Sequence, residues 1–308
     1  MARQEIDLTT PQPNGKMGEP TKAAWNKVNE MTAEIYASPG MNGSLMGRNM
    51  LINCGIPINQ RGFSGGALSA GAYGYDRWKA GSGGCNVSIN SSGVFSHVSG
   101  NLVQVIEQPA LAWGRALTFS VEDPSGTINV SIGGTAGVIT PGSGRKSVTV
   151  TPSGSGDLTL QISATGVTYV RPQLERGPVP SVFDCVDRSV EISKCQRYFE
   201  KSYNIATAPG SVSTDPGKSI ILATALNSAV HAFGNSVQFK VVKRASPTVT
   251  TYSNVTGTPG YARDAGVSGD VPTTITAIGD SSFFWWAATG SSTPSVNLEC
   301  QWTAEAEI

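Results

Sequence analysis

The chain carries few of the side chains that usually perform acid–base or metal chemistry. Its two histidines are His97 in GVFSHVSG and His231 in NSAVHAFG, and neither has a second candidate ligand at a recognisable spacing. Serine is abundant, but no serine lies in the GxSxG context of a nucleophile elbow. The glycine-rich stretches lack the spacing of a phosphate-binding loop. We therefore expect structural roles for both histidines, and no catalytic residue, metal or cofactor.

Paired carboxylates are the catalytic arrangement that the sequence leaves open. Glycoside hydrolysis needs two carboxyl groups that face each other across a groove, roughly 5 to 10 Å apart. The acidic residues considered for this role lie mostly beside glycine or proline in expected turns: Glu122, Asp123, Glu175, Asp184, Asp187, Asp215, Asp264, Asp270 and Asp280. No repeat typical of a long parallel β-helix is visible. A glycan-degrading enzyme is therefore the weakest of the alternatives.

Aromatic side chains are the remaining candidates, because flat apolar rings can stack on sugar rings. Tyr73, Tyr75 and Trp78 lie together in YGYDRW and are candidates for facing a glycan. The alternative, which we favour for this motif, is that Asp76 and Arg77 pin the opening strand, since charged residues are rarely buried without a partner.

A second aromatic run, Phe283 to Trp286, lies near the end of the sequence. Alternate side chains of a strand face opposite sides, so one pair is expected in the core and the other pair at the surface or between subunits. A glycine-rich segment, 257–272, is predicted to be a long loop, and such loops often carry binding residues. The predicted receptor contacts are Tyr261, Arg263, Asp264, Trp285 and Trp286.

Composition indicates a β-rich protein without a strong electrostatic field. The 308 residues suffice for about two domains, and they include 36 glycines and 18 prolines. Lys+Arg and Asp+Glu both total 22, so we expect neither nucleic acid nor an anionic membrane as a partner. Five scattered cysteines predict reduced, mostly buried thiols. The charged start and the lack of a long apolar run predict assembly in a cytoplasm without membrane insertion.

Two series of short, alternating segments predict two β-regions. In the first, strands are expected at 86–89, 101–107, 115–123, 127–134, 146–152, 157–164 and 167–175. In the second, they are expected at 219–226, 236–242, 248–253, 273–279, 281–289 and 297–306. Many short strands separated by turn residues favour antiparallel β-sandwiches.

Two helical segments are expected to need partners. Residues 1–18 are predicted to be an extended arm, and EPTKAAWNKVNEMTAEIY after it has a narrow apolar stripe that includes Trp25, Val28 and Ile35. A helix of about five turns is marginal alone, so self-association in a short coiled coil is favoured over packing on its own domain. Residues 181–205 are predicted to be a helical joint that buries Val190 against symmetry mates.

Several motifs resemble those of tailed-bacteriophage fibre and spike proteins. The opening at 47–81 (NMLINCGIPINQRG … YGYDRW), the stretch RPQLERG and the joint KCQRYFEK resemble, in order, the corresponding parts of those proteins. The start, IDLTTP followed by AWNKVNEMTAEIY, resembles their anchoring arm and helix. The resemblance implies a jelly-roll-like middle domain similar to carbohydrate-binding modules, a homotrimer, and a place in the virion tail.

The sequence therefore predicts a mainly β chain in four parts. These are a virion anchor at 1–46, a jelly-roll-like sandwich at 47–180, the helical joint at 181–205 and a β-rich tip at 206–308. The predicted function is attachment, to other tail, baseplate or collar proteins through the N-terminus and to a host glycan or protein receptor through non-covalent contacts. The main alternative is a collar or baseplate decoration without receptor contact.

Overall fold

The fold is mainly β, as predicted. A computed structural model of the chain describes residues 6–18, 20–37, 47–224, 230–289 and 295–308, without the side chains of 32–37 and 295. Within those ranges the two helices are α1 (Thr21–Ala37) and α2 (Arg188–Gln196), and the strands form two antiparallel sheets. Neither of these helices is long and apolar enough to span a bilayer.

The first sheet holds nine strands from residues 66–176. They are β1 (Gly66–Leu68), β2 (Lys79–Ile89), β3 (Val94–Ile106), β4 (Leu117–Glu122), β5 (Ile128–Ile132), β6 (Thr135–Ile139), β7 (Arg145–Val150), β8 (Leu158–Ser163) and β9 (Val167–Arg176). The order is β6-β5-β8-β3-β9-β4-β7, with β2 also pairing with β1 and β3. Gly137 of β6 lies against Val148 of β7, so the sheet curls back toward itself around its core.

Alternation along these strands fills the first core. In β8, for example, Leu158, Leu160 and Ile162 are fully buried while Thr159 between them is exposed. Phe95 of β3 stacks on Tyr169 of β9 with ring centroids 5.1 Å apart. The period of two that predicts strands therefore also places the side chains that stabilise the sandwich.

The second sheet holds eight strands from the second half of the chain. They are β10 (Phe199–Lys201), β11 (Ser219–Thr224), β12 (His231–Gln238), β13 (Thr248–Ser253), β14 (Tyr261–Asp264), β15 (Gly269–Thr276), β16 (Ser282–Thr289) and β17 (Ser295–Glu305). β17 is the central strand, because it pairs with β10, β11, β13 and β14. The path continues from β14 through β15 and β16 to β12.

Aromatic residues dominate the second core. Trp285 of β16 is fully buried, and Phe283 packs edge-on against Trp302 of β17 at 5.4 Å between ring centroids. Phe239 stacks on Phe283 at 5.7 Å. The Nε1 of Trp285 donates a hydrogen bond of 2.9 Å to Ser219 Oγ, so the one polar atom of this buried indole is satisfied.

Two sequence predictions need correction in this half. The segment 257–272 is not a long loop, because β14 and the start of β15 form a hairpin there with Tyr261 opposite Pro272. The joint is helical only over α2, and Phe199–Lys201 after it is a strand of the second sheet. In both places the tertiary pairing with β17 or β15 outweighs the local turn and helix preferences.

The N-terminal helix is confirmed in position. α1 begins one residue after Pro20, which suits a helix start because proline lacks the donor that a first turn leaves unused. Trp25 is 61% exposed on it, and the described side chains of α1 contribute nothing to either core.

Neighbouring tryptophans of β16 give a direct test of this fold. Replacing Trp285 with alanine is expected to lower the free energy of unfolding by about 3 to 5 kcal/mol, because it opens a cavity in the second core. Replacing Trp286, which is only half-buried on the other side of the strand, is expected to cost less than about 1 kcal/mol. Urea unfolding followed by circular dichroism measures both, and equal costs would contradict the assignment of sides.

Candidate functional site

The outward side of β12, β15 and β16 is the surface most suited to binding. Trp286 lies between Gly234 and Thr274 in the register of the three strands, and Phe284 lies between Ser236 and Thr276. Phe284 is 37% exposed, and Trp286 is half-buried. We call this surface the aromatic face; its outward residues are Ala232, Gly234, Ser236, Gln238, Pro272, Thr274, Thr276, Phe284, Trp286 and Ala288.

Tyr261 and Arg263 lie on the same outward side, on the adjoining strand β14. Tyr261 is 38% exposed and pairs with Pro272. The Nη1 of Arg263 lies 3.6 Å from Asp270 Oδ1, and Asp270 also accepts a hydrogen bond of 2.9 Å from Ser253 Oγ. Arg263 is thus a partly covered, internally paired cation rather than a free one.

Two of the predicted receptor contacts face the other way. Trp285 is buried in the second core and presents no surface to a ligand. Asp264 is also fully buried; its Oδ1 accepts a hydrogen bond of 2.9 Å from the Gly266 nitrogen and its other oxygen accepts one from Thr289 Oγ1. Both corrections follow from the strand period of two, since these residues alternate with Trp286 and Arg263.

The aromatic residues of YGYDRW are also largely enclosed. Trp78 is fully buried and donates from Nε1 to the Asn53 oxygen at 2.8 Å. Tyr75 is 5% exposed, and its hydroxyl accepts a hydrogen bond of 2.9 Å from the Ile89 nitrogen. Tyr73 is partly exposed, but its hydroxyl donates to the Ile308 oxygen at 2.6 Å. Trp78 and Tyr75 therefore cannot stack on a glycan in this fold.

Instead, Arg77 of this motif and the nearby cations Arg61 and Lys79 connect the first half of the fold to residues 305–308. Arg77, 1% exposed, pairs with Glu307, donates to the Val105 oxygen, and has its guanidinium carbon 3.5 Å from the ring centroid of Tyr198. Arg61 reaches both Glu305 and Glu307, at 3.1 and 3.3 Å. Lys79 donates to the Ile308 oxygen. We call these contacts the junction.

Asp76 and Arg77 are both buried, in agreement with the structural role that the sequence favoured, but each has its own partners. Asp76 is fully buried and accepts hydrogen bonds from Gln60, 3.0 Å from its main-chain nitrogen and 2.6 Å from its side-chain Nε2, and Arg61 lies 3.6 Å away. Burial outweighs these contacts and raises the pKa of Asp76 to about 6. The motif thus carries two separate buried charges, each with its own partners.

Two buried lysines, Lys201 and Lys243, make further polar contacts near the end of α2 and strand β10. Lys201 of β10 donates to the oxygens of Gln60 and Thr207, both at 2.6 Å, and burial lowers its pKa to about 8. Lys243 pairs with Glu200 and donates to the Gln196 oxygen at the end of α2, and burial also lowers its pKa. The end of α2, strand β10 and segment 240–244 are held together by these bonds.

A cavity of about 300 Å³ lies between the opening segment and the start of α2. Its apolar lining includes Leu51, Cys54, Ile58 and Phe183, and three carboxylates, Asp184, Asp187 and Glu191, also line it. One of them, Glu191, accepts a hydrogen bond from the Asn53 nitrogen and lies 3.5 Å from Lys194 Nζ. Nothing in the sequence pattern marks this cavity, since its two walls are about 130 residues apart.

The residues of the expected trimer seam lie on the surface where they are described. Trp25 is 61% exposed, Val28 is partly exposed, and Val190 of α2 is 47% exposed. Ile35 lies in α1, but its side chain falls outside the described residues. Whether these positions meet in a trimer stays a prediction.

The histidines and cysteines lie in structural surroundings. His97 is buried, with Nε2 at 2.9 Å from the Gly100 oxygen, and burial lowers its pKa. His231 lies edge-on near Phe233 at 6.3 Å between centroids. All five thiols are free, and four of them are buried, Cys185 being exposed. Over the described ranges no three His, Cys, Asp or Glu side chains are grouped so as to hold a metal ion.

The flanking strands of the aromatic face were only partly visible in the sequence. The strand predicted at 236–242 begins five residues earlier, at His231, so Gly234 was missed. The signal was present: HAFGNSVQ alternates half-buried and exposed side chains over its whole length, but the glycine and asparagine in it favour a turn.

Comparisons with known proteins find no matching family model and no matching curated protein. Among solved structures, a cycloisomaltooligosaccharide glucanotransferase of Paenibacillus sp. complexed with cycloisomaltoheptaose is 11% identical, with a TM-score of 0.23. That match covers 80% of this chain and 47% of that chain, so this chain spans about half of its length. Discoidin II of Dictyostelium discoideum is 13% identical, with a TM-score of 0.20 and coverage of 70% and 82%. TM-scores of this size do not establish a shared fold.

The buried carboxyl of Asp76 gives a pH test of the junction. A pKa raised to about 6 from 3.8 means that the folded chain holds the proton more tightly than the unfolded chain. The free energy of unfolding of the wild type should therefore rise relative to that of Asp76→Asn as the pH falls from 7 to 5, by up to about 1.4 kcal/mol per pH unit.

Urea titrations at several pH values measure this difference. The exposed Asp280 provides the matched control, because Asp280→Asn removes a carboxyl that is in contact with water. A wild-type advantage over Asp76→Asn that stays constant between pH 7 and 5 would contradict the proposed burial of the charge.

Proposed function

We propose that this chain is a fibre or spike component of a tailed-phage virion that attaches the particle to the host surface by non-covalent binding. The motif resemblance over residues 47–203 and at the N-terminus supports the virion assignment. The aromatic face, together with Tyr261, supports the binding role, and it is the observation that carries the proposal. Three aromatic side chains here reach solvent on one side of a rigid sheet, a placement suited to recognition.

Binding rather than catalysis is favoured by the state of the acidic side chains. Glu175 is buried and accepts hydrogen bonds from Gln173 and Ser181, Asp264 is buried under Thr289, and Asp270 pairs with Arg263. Carboxylates that serve as structural acceptors are poorly placed to exchange protons with a substrate. We therefore propose no catalytic residue.

The N-terminal helix is proposed to join copies of the chain and to anchor them. α1 exposes Trp25 and adds no described side chain to either core, so burial of that indole requires another surface. A helix of 17 residues is marginal in isolation, and association with two further copies would stabilise it. We therefore propose a homotrimer that α1 helps to hold together. Residues 1–46 would also bind the other tail proteins.

Removing residues 1–46 tests the anchor. The shortened chain is expected to keep both cores, because no described residue before Met50 belongs to them, and so to give an unchanged β-type circular dichroism spectrum. It should fail to enter particles, as measured by immunoblotting of purified virions. Normal occupancy of the shortened chain in virions would refute the anchor assignment.

The attachment role is tested by adsorption of particles that carry the double substitution Tyr261→Ala and Arg263→Ala. Each exposed aromatic contact contributes on the order of 1 kcal/mol, so a single site should weaken several-fold and several copies should amplify the loss. A matched control is Val242→Ala, which removes an exposed apolar side chain outside the aromatic face.

Adsorption is compared at equal occupancy of the fibre. A clear fall for the double variant, with the control unchanged, supports receptor binding through the second sheet. Unchanged adsorption by both would favour the decoration role or place the receptor site on the first sheet.

A further inference from the structure

The ten residues that define the aromatic face include no charged side chain, and the one charged residue on the same side of β15, Asp270, is paired with Arg263. These ten outward residues come from three neighbouring strands and comprise two aromatic rings, three hydroxyl groups, one amide and four small or apolar residues. The nearest charged pair on the adjoining hairpin, Arg263 with Asp270, is internally compensated at 3.6 Å. A face without a cation offers no charge-assisted hydrogen bond to a carboxylate or phosphate group of a ligand.

Gly234 makes room for the ring of Phe284 on this face. A methyl group built on Gly234 would lie 2.2 Å from Cζ of Phe284, so the ring of Phe284 extends over the neighbouring strand at the place where a side chain is missing. Gly234 has no positive φ, which leaves this close approach as the reason for glycine here. The phenyl ring of Phe284 therefore leans across to Gly234, which lies opposite Trp286 in the register of β12 and β16.

Small hydroxyl-bearing residues flank both rings. Ser236 and Thr276 lie beside Phe284, and Thr274 lies beside Trp286, each of them exposed. Apolar rings bordered by hydroxyl groups match the chemistry of a pyranose ring, which has an apolar face of C–H groups and a rim of hydroxyls. A protein partner would instead be expected to find a pocket for an anchoring side chain, and a face of small residues offers little depth.

We propose that the aromatic face binds an uncharged glycan, with Phe284 and Trp286 as the stacking platform and Gly234 as the residue that sets the position of the phenyl ring. This inference rests on the proposed attachment function and names its ligand class. It assigns Trp286 and Phe284 to the ligand and leaves Trp285, one residue away, to the core.

The test uses the full chain and an immobilised set of bacterial polysaccharides, some uncharged and some containing uronic acids. Wild type is expected to bind at least one uncharged member and to bind it equally at 0.05 and 0.5 M NaCl, because no ion pair is involved. Trp286→Ala and Phe284→Ala should each weaken that binding about five- to tenfold. Val242→Ala should leave it unchanged.

Gly234→Ala distinguishes binding that needs the ring of Phe284 in this position from binding that needs only apolar surface. It adds one methyl group and removes no aromatic side chain, yet it should weaken glycan binding several-fold by displacing the ring of Phe284. Ser236→Ala is the matched small substitution on the same strand, and it should have a smaller effect. Circular dichroism of each variant shows whether the fold is retained.

Three results would overturn the proposal. These are binding only to uronate-containing polysaccharides, no binding to any uncharged member, and a change in sedimentation velocity for Trp286→Ala, which would make the face a contact between copies. Adsorption of particles separates this failure from failure of the attachment role. If Trp286→Ala particles adsorb normally while Tyr261→Ala with Arg263→Ala particles do not, attachment survives and the glycan platform does not.

Discussion

The buried guanidinium group of Arg77 connects the first sheet to the C-terminal segment that follows the second sheet. Arg77 is 1% exposed, so its charge must be compensated within the protein, and Glu307, the Val105 oxygen and the ring of Tyr198 supply that compensation. Its backbone has φ of +70°, a conformation that a residue other than glycine adopts at some cost. This one side chain therefore contacts strand β3 at Val105, Tyr198 shortly after α2, and Glu307 shortly after β17.

This constraint gives the second sheet a defined placement on the first. β17 ends at Glu305, immediately before the residues that Arg77, Lys79 and Tyr73 hold, so the central strand is anchored at one end. Every strand that pairs with β17 is positioned in turn. The aromatic face lies toward the far end of that series, on β15, β16 and β12, and none of its residues takes part in the contacts of the junction.

Local patterns predicted many of the strands because those strands show their own alternation of buried and exposed side chains. LTLQIS and INVSI, for example, have a buried residue at every second position, and the sequence alone carries that signal. The same pattern predicted that FFWW would divide between core and surface, but it could not say which tryptophan would be buried. Trp285 is the buried one, and its indole nitrogen donates a hydrogen bond to the hydroxyl of Ser219, which lies 66 residues away and is not identified by a local pattern.

The features that escaped prediction are contacts between distant segments. Arg77 and Glu307 are 230 residues apart, so no periodicity connects them, and the sequence indicated a structural role for Arg77 without identifying this partner. Gly260, Gly266 and Pro272 are turn-forming residues and favour a loop at 257–272, whereas the pairing of β14 with β15 and β17 makes this segment a hairpin of the second sheet. The need for glycine at position 234 becomes clear only from the structure, where the ring of Phe284 lies against it.

The central position of β17 also bears on how the chain is made. β10, β11, β13 and β14 all pair with β17, which lies at residues 295–305. During synthesis on a ribosome these four segments therefore emerge before the strand that pairs with them. The first sheet draws all of its strands from residues 66–176 and is free to form much earlier. A chain interrupted before residue 295 would hold one finished sandwich and a set of open strand edges, which are the surfaces most prone to aggregation. A chain that stops before residue 295 therefore lacks the strand that joins β10, β11, β13 and β14 into one sheet.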